Sequence, residues 1–308
     1  MDMTLKNIIN NVEQVIIGKR EVIELTLCAI LAKGHVLIED MPGVGKTSLV
    51  SALAHSFDCS FKRIQFTPDI MPSDITGFSI YRQNTGNFEY HPGSIMSQMI
   101  LADEINRTAP KTQSSLLEVM EEGQVTVDGH TYKVPQPFVV FATQNPMDYL
   151  GTYPLPEAQL DRFFMKLSIG YPSAEQESAM LSRFKTNNPL AHLQPVTTAD
   201  NLLALQQQVT EVHVDESINR YIVQLVSATR THLDVVLGAS PRASMSLYKA
   251  AQARAFLSER SFVLVDDVIA MAVPVLAHRL VLAQESYNKQ LTTEVLIEQI
   301  IKATRTPV

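Results

Sequence analysis

His35 to Thr47 reads HVLIEDMPGVGKT. An apolar run from Val36 to Glu39 enters a glycine-rich turn, and a helical pattern from Lys46 to Ser56 follows it. The first N–H groups of a helix have no intrahelical partner and its dipole favours an anion there, so a loop of this kind is suited to a phosphate. The amides of Gly43, Val44, Gly45 and Lys46 are expected to curl around phosphate oxygens, with Pro42 and Ser48 completing the loop. Lys46 offers a positive charge, and the Thr47 hydroxyl suits a magnesium ion that travels with the phosphates. The full pattern GxxxxGK[ST] has glycine where this chain has Asp40. Aspartate tolerates unusual backbone angles and bonds its own turn, so it can stand in for that glycine. Read alone, the loop is also compatible with a glycine-rich turn that binds nothing.

Outward from this loop, short apolar runs alternate with helical patterns, the rhythm of a parallel sheet covered on both faces. Strands are expected at Val36–Glu39, Phe61–Phe66, Met99–Ala102, Phe138–Ala142 and Met165–Leu167, with helices at Lys46–Ser56 and Gln113–Glu121. The fold class is therefore α/β, a five-stranded parallel sheet with helices on both faces. Gly77–Gly93, with a turn at Asn84–Asn87, and Gly123–Pro135, which alternates around Asp128–Gly129, interrupt the rhythm; each reads as a surface loop or as a hairpin. After Tyr171–Pro172 helical spacing takes over. Ile218, Tyr221, Ile222, Leu225, Val226 and Thr229 mark one helix face, and further helices are expected at 174–184, 199–208, 242–257, 266–278 and 293–304, with a loop at Asn187–Pro195. Residues 1–172 thus form a nucleotide-binding domain and 173–308 a smaller all-helical one.

Three further constellations bear on chemistry. Met99–Ala102 ends in Asp103–Glu104, and carboxylates at the carboxyl end of a buried strand sit where nucleotide crevices form. Asp103 suits the magnesium shell and Glu104 the polarisation of an attacking water; in isolation the pair reads equally as a solvated acidic turn. The strand Phe138–Ala142 ends in Thr143–Gln144–Asn145, where Asn145 orients the water, reads the γ-phosphate, or only caps the turn before Pro146. Arg162, in LPEAQLDRFF, and Arg242, in GASPRAS, are candidates for the added cation that speeds phosphoryl transfer, or are structural arginines.

Composition narrows the alternatives. The chain has 308 residues, 45% of them hydrophobic and 19% charged, the profile of an ordinary globular protein. A formal charge of −7 disfavours nucleic acid or an anionic membrane as the main partner. No apolar run approaches the roughly 18 residues of a membrane helix, and Met1–Asn10 does not read as a signal peptide. Cys28 and Cys59 show no metal-binding spacing and are expected as buried thiols, so a cytoplasmic location is expected.

At these residues the chain resembles the MoxR group of AAA+ ATPases, in the helix-2-insert clade. The resemblance rests on IIGKREVIE at 16–24, EDMPGVGKT, TPDIMPSDITG at 67–77, ADEINRTAPKTQSSLLEVMEEGQVTVDG at 102–129, ATQNP, LPEAQLDRF and GASPRA. It implies an ATP- and magnesium-binding hydrolase in which Lys46 and Thr47 match Walker A, Asp103 and Glu104 Walker B, and Asn145 sensor 1. Asp40 matches the form of the loop common in the group. Arg162 matches the finger that acts on a neighbouring subunit's ATP, and Arg107 is its rival. Arg242 matches sensor 2, expected to couple the helical lid to the γ-phosphate across a hinge at Tyr171–Ser173. Ile17 and Gly18 match the segment near adenine, Gly77–Gly93 the helix-2 insert, and Gly123–Pro135 the pre-sensor-1 hairpin. The group implies a hexameric ring remodelling or maturing client proteins, including metal cofactor insertion, beside a von Willebrand factor A domain partner. Two rivals are a nucleotide-gated switch with negligible turnover and a DNA-associated motor.

Overall fold

The computed structural model of the chain describes residues 3–84, 86–146, 151–184, 189–288 and 290–307. Its nine strands in the first half are β1 (Val36–Glu39), β2 (Phe61–Gln65), β3 (Gly77–Arg82), β4 (Asn87–Pro92), β5 (Met99–Asp103), β6 (Gln124–Val127), β7 (His130–Lys133), β8 (Val139–Gln144) and β9 (Met165–Leu167). Five of them form one parallel sheet in the order β2-β5-β8-β1-β9. The central strands β5, β8 and β1 are legible as apolar runs because both of their faces are covered, whereas the edge strands β2 and β9 carry lysine or arginine.

Side chains alternate across a strand, so each strand feeds two cores. Val36, Ile38, Met99, Leu101, Val139 and Phe141 join one hydrophobic cluster, while Leu37, Ile100, Ala102, Val140 and Ala142 join the other. The first cluster is closed by helices Met3–Glu13, Arg20–Leu31 and Lys46–Ser56 and continues without a break into the second half of the chain. The second is closed by helix Pro110–Glu122, through Leu116, Leu117 and Met120. That helix starts before the expected Gln113 because Pro110 takes its first turn, and Gly123, with φ 63°, ends it.

The two amino-terminal helices were not expected. The signal of the first is present in Leu5, Ile8, Ile9 and Val12, and that of the second in Ile23, Leu27, Ile30 and Leu31, all buried at helical spacing. Both interruptions of the βα rhythm are hairpins. β3 pairs with β4 after a short helix Pro72–Thr76, and β6 pairs with β7. In the second hairpin Asp128 and Gly129 have φ of 49° and 78°, the two positive angles a tight two-residue turn needs. Of the turn expected at Asn84–Asn87, Thr85 lies outside the described residues, and β4 already begins at Asn87. The hairpins touch through Tyr90 and Tyr132, whose rings stack at 4.0 Å.

The second half is helical, with helices Ala174–Phe184, Ala199–Thr210, Glu216–Thr231, Pro241–Leu257, Val265–Leu276, Gln284–Asn288 and Thr293–Ala303. A two-stranded clip, Val235–Leu237 with Val281–Leu282, ties two of the connections. Of the loop expected at Asn187–Pro195, positions 187 and 188 lie outside the described residues, and Pro189–His192 forms a 3₁₀ turn. This half packs directly on the sheet domain: Gln206 Nε2 donates to the Ile30 carbonyl at 2.7 Å, and Arg254 pairs with Glu24 at 3.1 Å. The helix expected at Asp266–His278 ends as α-helix at Leu276 and continues as a 3₁₀ turn, Ala277–Arg279, which sets His278 and Arg279 against the Phe163 carbonyl. Cys28 is buried as expected, but Cys59 is only half buried at the rim of β2. Burial pushes both thiols up to about 12, which disfavours the thiolate at neutral pH. No helix among the described residues is long and apolar enough to cross a membrane.

Candidate nucleotide-binding site

β1 ends at Glu39 and the chain turns into the glycine-rich loop. Gly43 and Gly45 have φ of 84° and 93°, angles that favour glycine, and Gly45 is the N-cap of helix Lys46–Ser56. No side chain caps that helix, so its first amides are offered to an anion. Lys46 Nζ donates to the Asp40 carbonyl at 2.7 Å, which tethers the ammonium over the loop. Burial pulls the Lys46 pKa down, and the carboxylates of Asp103, Asp40 and Glu104 oppose that shift.

Asp40 does more than stand in for a glycine. Its backbone is not in the left-handed region, so tolerance of unusual angles is not why it is there. It does bond its own turn, accepting the Met41 N–H at 3.0 Å. Its other oxygen accepts the N–H groups of Ile169 and Gly170, at 2.6 and 2.8 Å, and the Ser168 hydroxyl at 3.1 Å. The carboxylate thereby fastens the loop to the residues that follow β9.

The carboxyl ends of β5, β8 and β2 complete the site. Asp103 closes β5, and Glu104 follows in a left-handed conformation, φ 57° and ψ 49°, uncommon for a residue with a side chain. Thr143, at the end of β8, locks this turn: its hydroxyl donates to Asp103 Oδ1 at 2.6 Å and accepts the Glu104 N–H at 2.9 Å. From β2, Arg63 donates twice to Asp103 Oδ2, at 3.0 and 2.6 Å, and once to Gln65 Oε1 at 2.6 Å. Gln65 in turn donates to Glu104 Oε2 at 2.8 Å. Arg107 lies 3.4 Å from the same Glu104 carboxylate.

These groups enclose a cavity of about 360 Å³, walled by loop residues 42–43 and 45–48, by Arg63 and Gln65, by Asp103 and Glu104, and by Asn145. Its size is in the range of small-ligand pockets. The donor set fits a metal-bound triphosphate: amides and a lysine for phosphate oxygens, and a hydroxyl with a carboxylate for a hard, oxygen-seeking cation. Val44 turns into the core beside the loop instead of lining the cavity. Beside Ile17 and Gly18, expected near adenine, Ile16 reaches the loop, its Cδ1 3.7 Å from where a Cβ on Gly45 would be. Ile17 is half buried, and the Gly18 carbonyl accepts Gln176 Nε2 at 3.1 Å.

The structure does not bring Arg162 or Arg242 to this cavity. β9 runs parallel to β1, and Arg162 precedes it, so Arg162 sits at the amino-terminal edge of the sheet, opposite its own phosphate loop. It donates to the Leu117 carbonyl at 3.0 Å and pairs with Glu121 at 3.2 Å. Arg242 pairs with the other oxygen of Glu121. Ser240, which caps the Arg242 helix, donates to Asp161 at 2.9 Å. Arg242, expected to couple the lid to the γ-phosphate, thus stands with Arg162 on Glu121 and not at the cavity of its own chain. Arg107, by contrast, is beside its own Glu104.

Sequence reading missed Arg63, Gln65 and Glu121. Arg63 and Gln65 alternate on a strand next to the one bearing Asp103, a detectable signal, but on an edge strand it reads as solvent exposure. Glu121, in the last turn of its helix, lies inside the stretch 102–129 that carries the resemblance, but nothing local marks it as a partner of two arginines.

The fold and this cavity define a P-loop ATPase of the AAA+ class. Residues 35–165 match the model of the ATPase family associated with various cellular activities (AAA), and residues 227–300 match the AAA lid domain. YeaC of Bacillus subtilis, itself uncharacterised, is 53% identical over 97% of this chain and 94% of its own length. Chaperone MoxR1 of Mycobacterium tuberculosis is 41% identical over 99% of this chain and 82% of its own. A crystal structure from Cytophaga hutchinsonii superposes with a TM-score of 0.91 at 39% identity, covering 99% of this chain and 95% of that one. The chain belongs to the MoxR family, and it is an ATP-hydrolysing enzyme.

Proposed function

We propose that the chain is a ring-forming, chaperone-like ATPase that remodels or matures client proteins in the cytoplasm, beside a von Willebrand factor A domain partner. The observation that carries this reading is the position of Arg162 and Arg242, together at the end of the sheet away from their own phosphate loop. A cation placed there serves phosphoryl transfer only in a neighbouring subunit, so each site is completed by the next copy, as in a hexameric ring. The relative named Chaperone MoxR1 supports the chaperone-like class.

Within one site, the loop amides and Lys46 hold the phosphates. Thr47 and Asp103 would hold a magnesium ion, which would supply charge neutralisation at the phosphate oxygens. Glu104 accepts the proton of the attacking water, and Asn145 orients that water. Residues 1–172 carry this chemistry, and residues 173–308 transmit it through the linker at Tyr171–Ser173, where Lys19 Nζ donates to the Tyr171 carbonyl at 2.8 Å.

The test is the dependence of activity on assembly. Light scattering of Glu104→Gln protein in ATP should show a multimer that holds nucleotide without turnover, and wild-type specific activity should rise with protein concentration. Full, concentration-independent activity from a monomer would contradict the reading. The same trapped protein is the bait for the client and partner.

A further inference from the structure

We propose that Arg63 is a third cation of the nucleotide site, one that exchanges partners: it holds Asp103 while the metal position is open and passes to the terminal phosphate when magnesium and ATP load together. The inference rests on reading the cavity as the Mg·ATP site.

The argument starts from Asp103. Thr143 occupies its Oδ1 and the Arg63 guanidinium occupies its Oδ2 from two directions, so both oxygens are engaged. Each carboxylate oxygen has two lone pairs; the two Arg63 N–H groups fill Oδ2 while Oδ1 keeps one beside Thr143, so a divalent cation at Asp103 stands next to the guanidinium whichever oxygen it uses. A hydroxyl tolerates a nearby cation; a guanidinium in van der Waals range of a dication is repelled. Arg63 is therefore the group that leaves. It is free to do so, because its side chain is about half exposed and its remaining partner, Gln65, is a neutral amide on the same strand. It also walls the same cavity as Lys46, so the nearest anion, once Asp103 is neutralised, is the bound phosphate chain. Guanidinium forks bind phosphate oxygens with paired, charge-assisted hydrogen bonds, and the γ-phosphate is the part of ATP that ADP lacks. Arg63 is thus assigned to discriminating ATP from ADP, through the metal.

Calorimetric titration of ATP and ADP, each with magnesium and with EDTA, tests this on wild type, Arg63→Ala, Arg63→Gln and Lys46→Ala. With magnesium, Arg63→Ala should lose about tenfold or more in ATP affinity and less than threefold in ADP affinity, the scale of one lost charge-assisted contact. In EDTA, where nothing displaces Arg63 from Asp103, wild type and Arg63→Ala should bind ATP alike. Arg63→Gln, which keeps a neutral hydrogen bond to Asp103, should fold as wild type and show the same selective loss if Arg63→Ala proves unstable. Equal losses for ATP and ADP would overturn the proposal in favour of a tie between β2 and β5. An ATP-selective loss that persists in EDTA would overturn the exchange, since the arginine would then contact phosphate without the metal. Lys46→Ala separates the two levels: unchanged binding of both nucleotides there would refute the site itself, whereas its loss with no effect at Arg63 would refute only the role of Arg63.

Discussion

Asp40 accepts the backbone N–H of Ile169 at 2.6 Å, so the first turn of the phosphate loop is fastened to the strand exit that leads into the lid. Ile169 is buried, so its N–H depends on this carboxylate, and the half-buried Gly170 donates to the same oxygen at 2.8 Å.

Replacing Asp40 by Gly therefore restores the general loop pattern at the expense of the fold. The buried Ile169 donor loses its partner, at about 1–3 kcal/mol, and the half-buried Gly170 donor loses its own at a smaller cost. Urea denaturation should show Asp40→Gly less stable than wild type by about 2–4 kcal/mol, and Asp40→Asn, which keeps one accepting oxygen, less affected. ATP binding should survive in both. A glycine variant as stable as wild type would show that the clamp contributes nothing.

A second prediction concerns pH. His35 is half-buried between β8 and the end of helix Pro110–Glu122; Val140 N–H donates to its Nδ1 at 3.0 Å, so Nδ1 carries no proton and Nε2–H donates to the Met120 carbonyl at 2.9 Å. Burial lowers its pKa from 6.5 to about 4, with the Met120 carbonyl opposing. His278 is lowered to about 3 by burial, by the neighbouring Arg279 and by Lys166, with the Phe163 and Pro274 carbonyls opposing. Both rings are neutral in the folded chain and protonate more readily when it unfolds. Their contribution is whole above pH 6.5 and shrinks as pH falls from 6.5 toward 4, by up to about 1.4 kcal/mol per pH unit for each ring. Urea midpoints at intervals from pH 7.5 to 4.5 should fall across that window, and His35→Gln should flatten the slope. The same slope in wild type and variant would remove His35 from the account.

The sequence revealed the sheet because its central strands are apolar on both faces, and the second hairpin because Asp128–Gly129 is a turn with a required backbone. The phosphate loop and the Asp103–Glu104 pair were legible as contiguous motifs following strands. What stayed hidden depends on tertiary neighbours. The clamp made by Asp40 requires knowing that residues 168–170 return beside β1. The meeting of Arg162 with Arg242 depends on how the lid docks, which one-dimensional spacing does not encode. Arg63 and Gln65 were hidden for a different reason: polar residues on an edge strand are ordinary until the adjacent strand is known to end in two carboxylates.

The most direct test of the central claim, that a neighbour completes each active site, mixes two inactive proteins, Arg162→Ala and Glu104→Gln. In a mixed ring an Arg162→Ala subunit keeps its own Glu104 and borrows the arginine of a Glu104→Gln neighbour. Labelled subunits establish that mixing has occurred, and steady-state ATP hydrolysis is the readout. The account predicts that activity partly returns, in proportion to the number of such interfaces. Hydrolysis that stays absent in verified mixed rings would contradict it, and would mean that Arg162 does not act on a neighbour's nucleotide and that Arg107, beside Glu104, is the active cation.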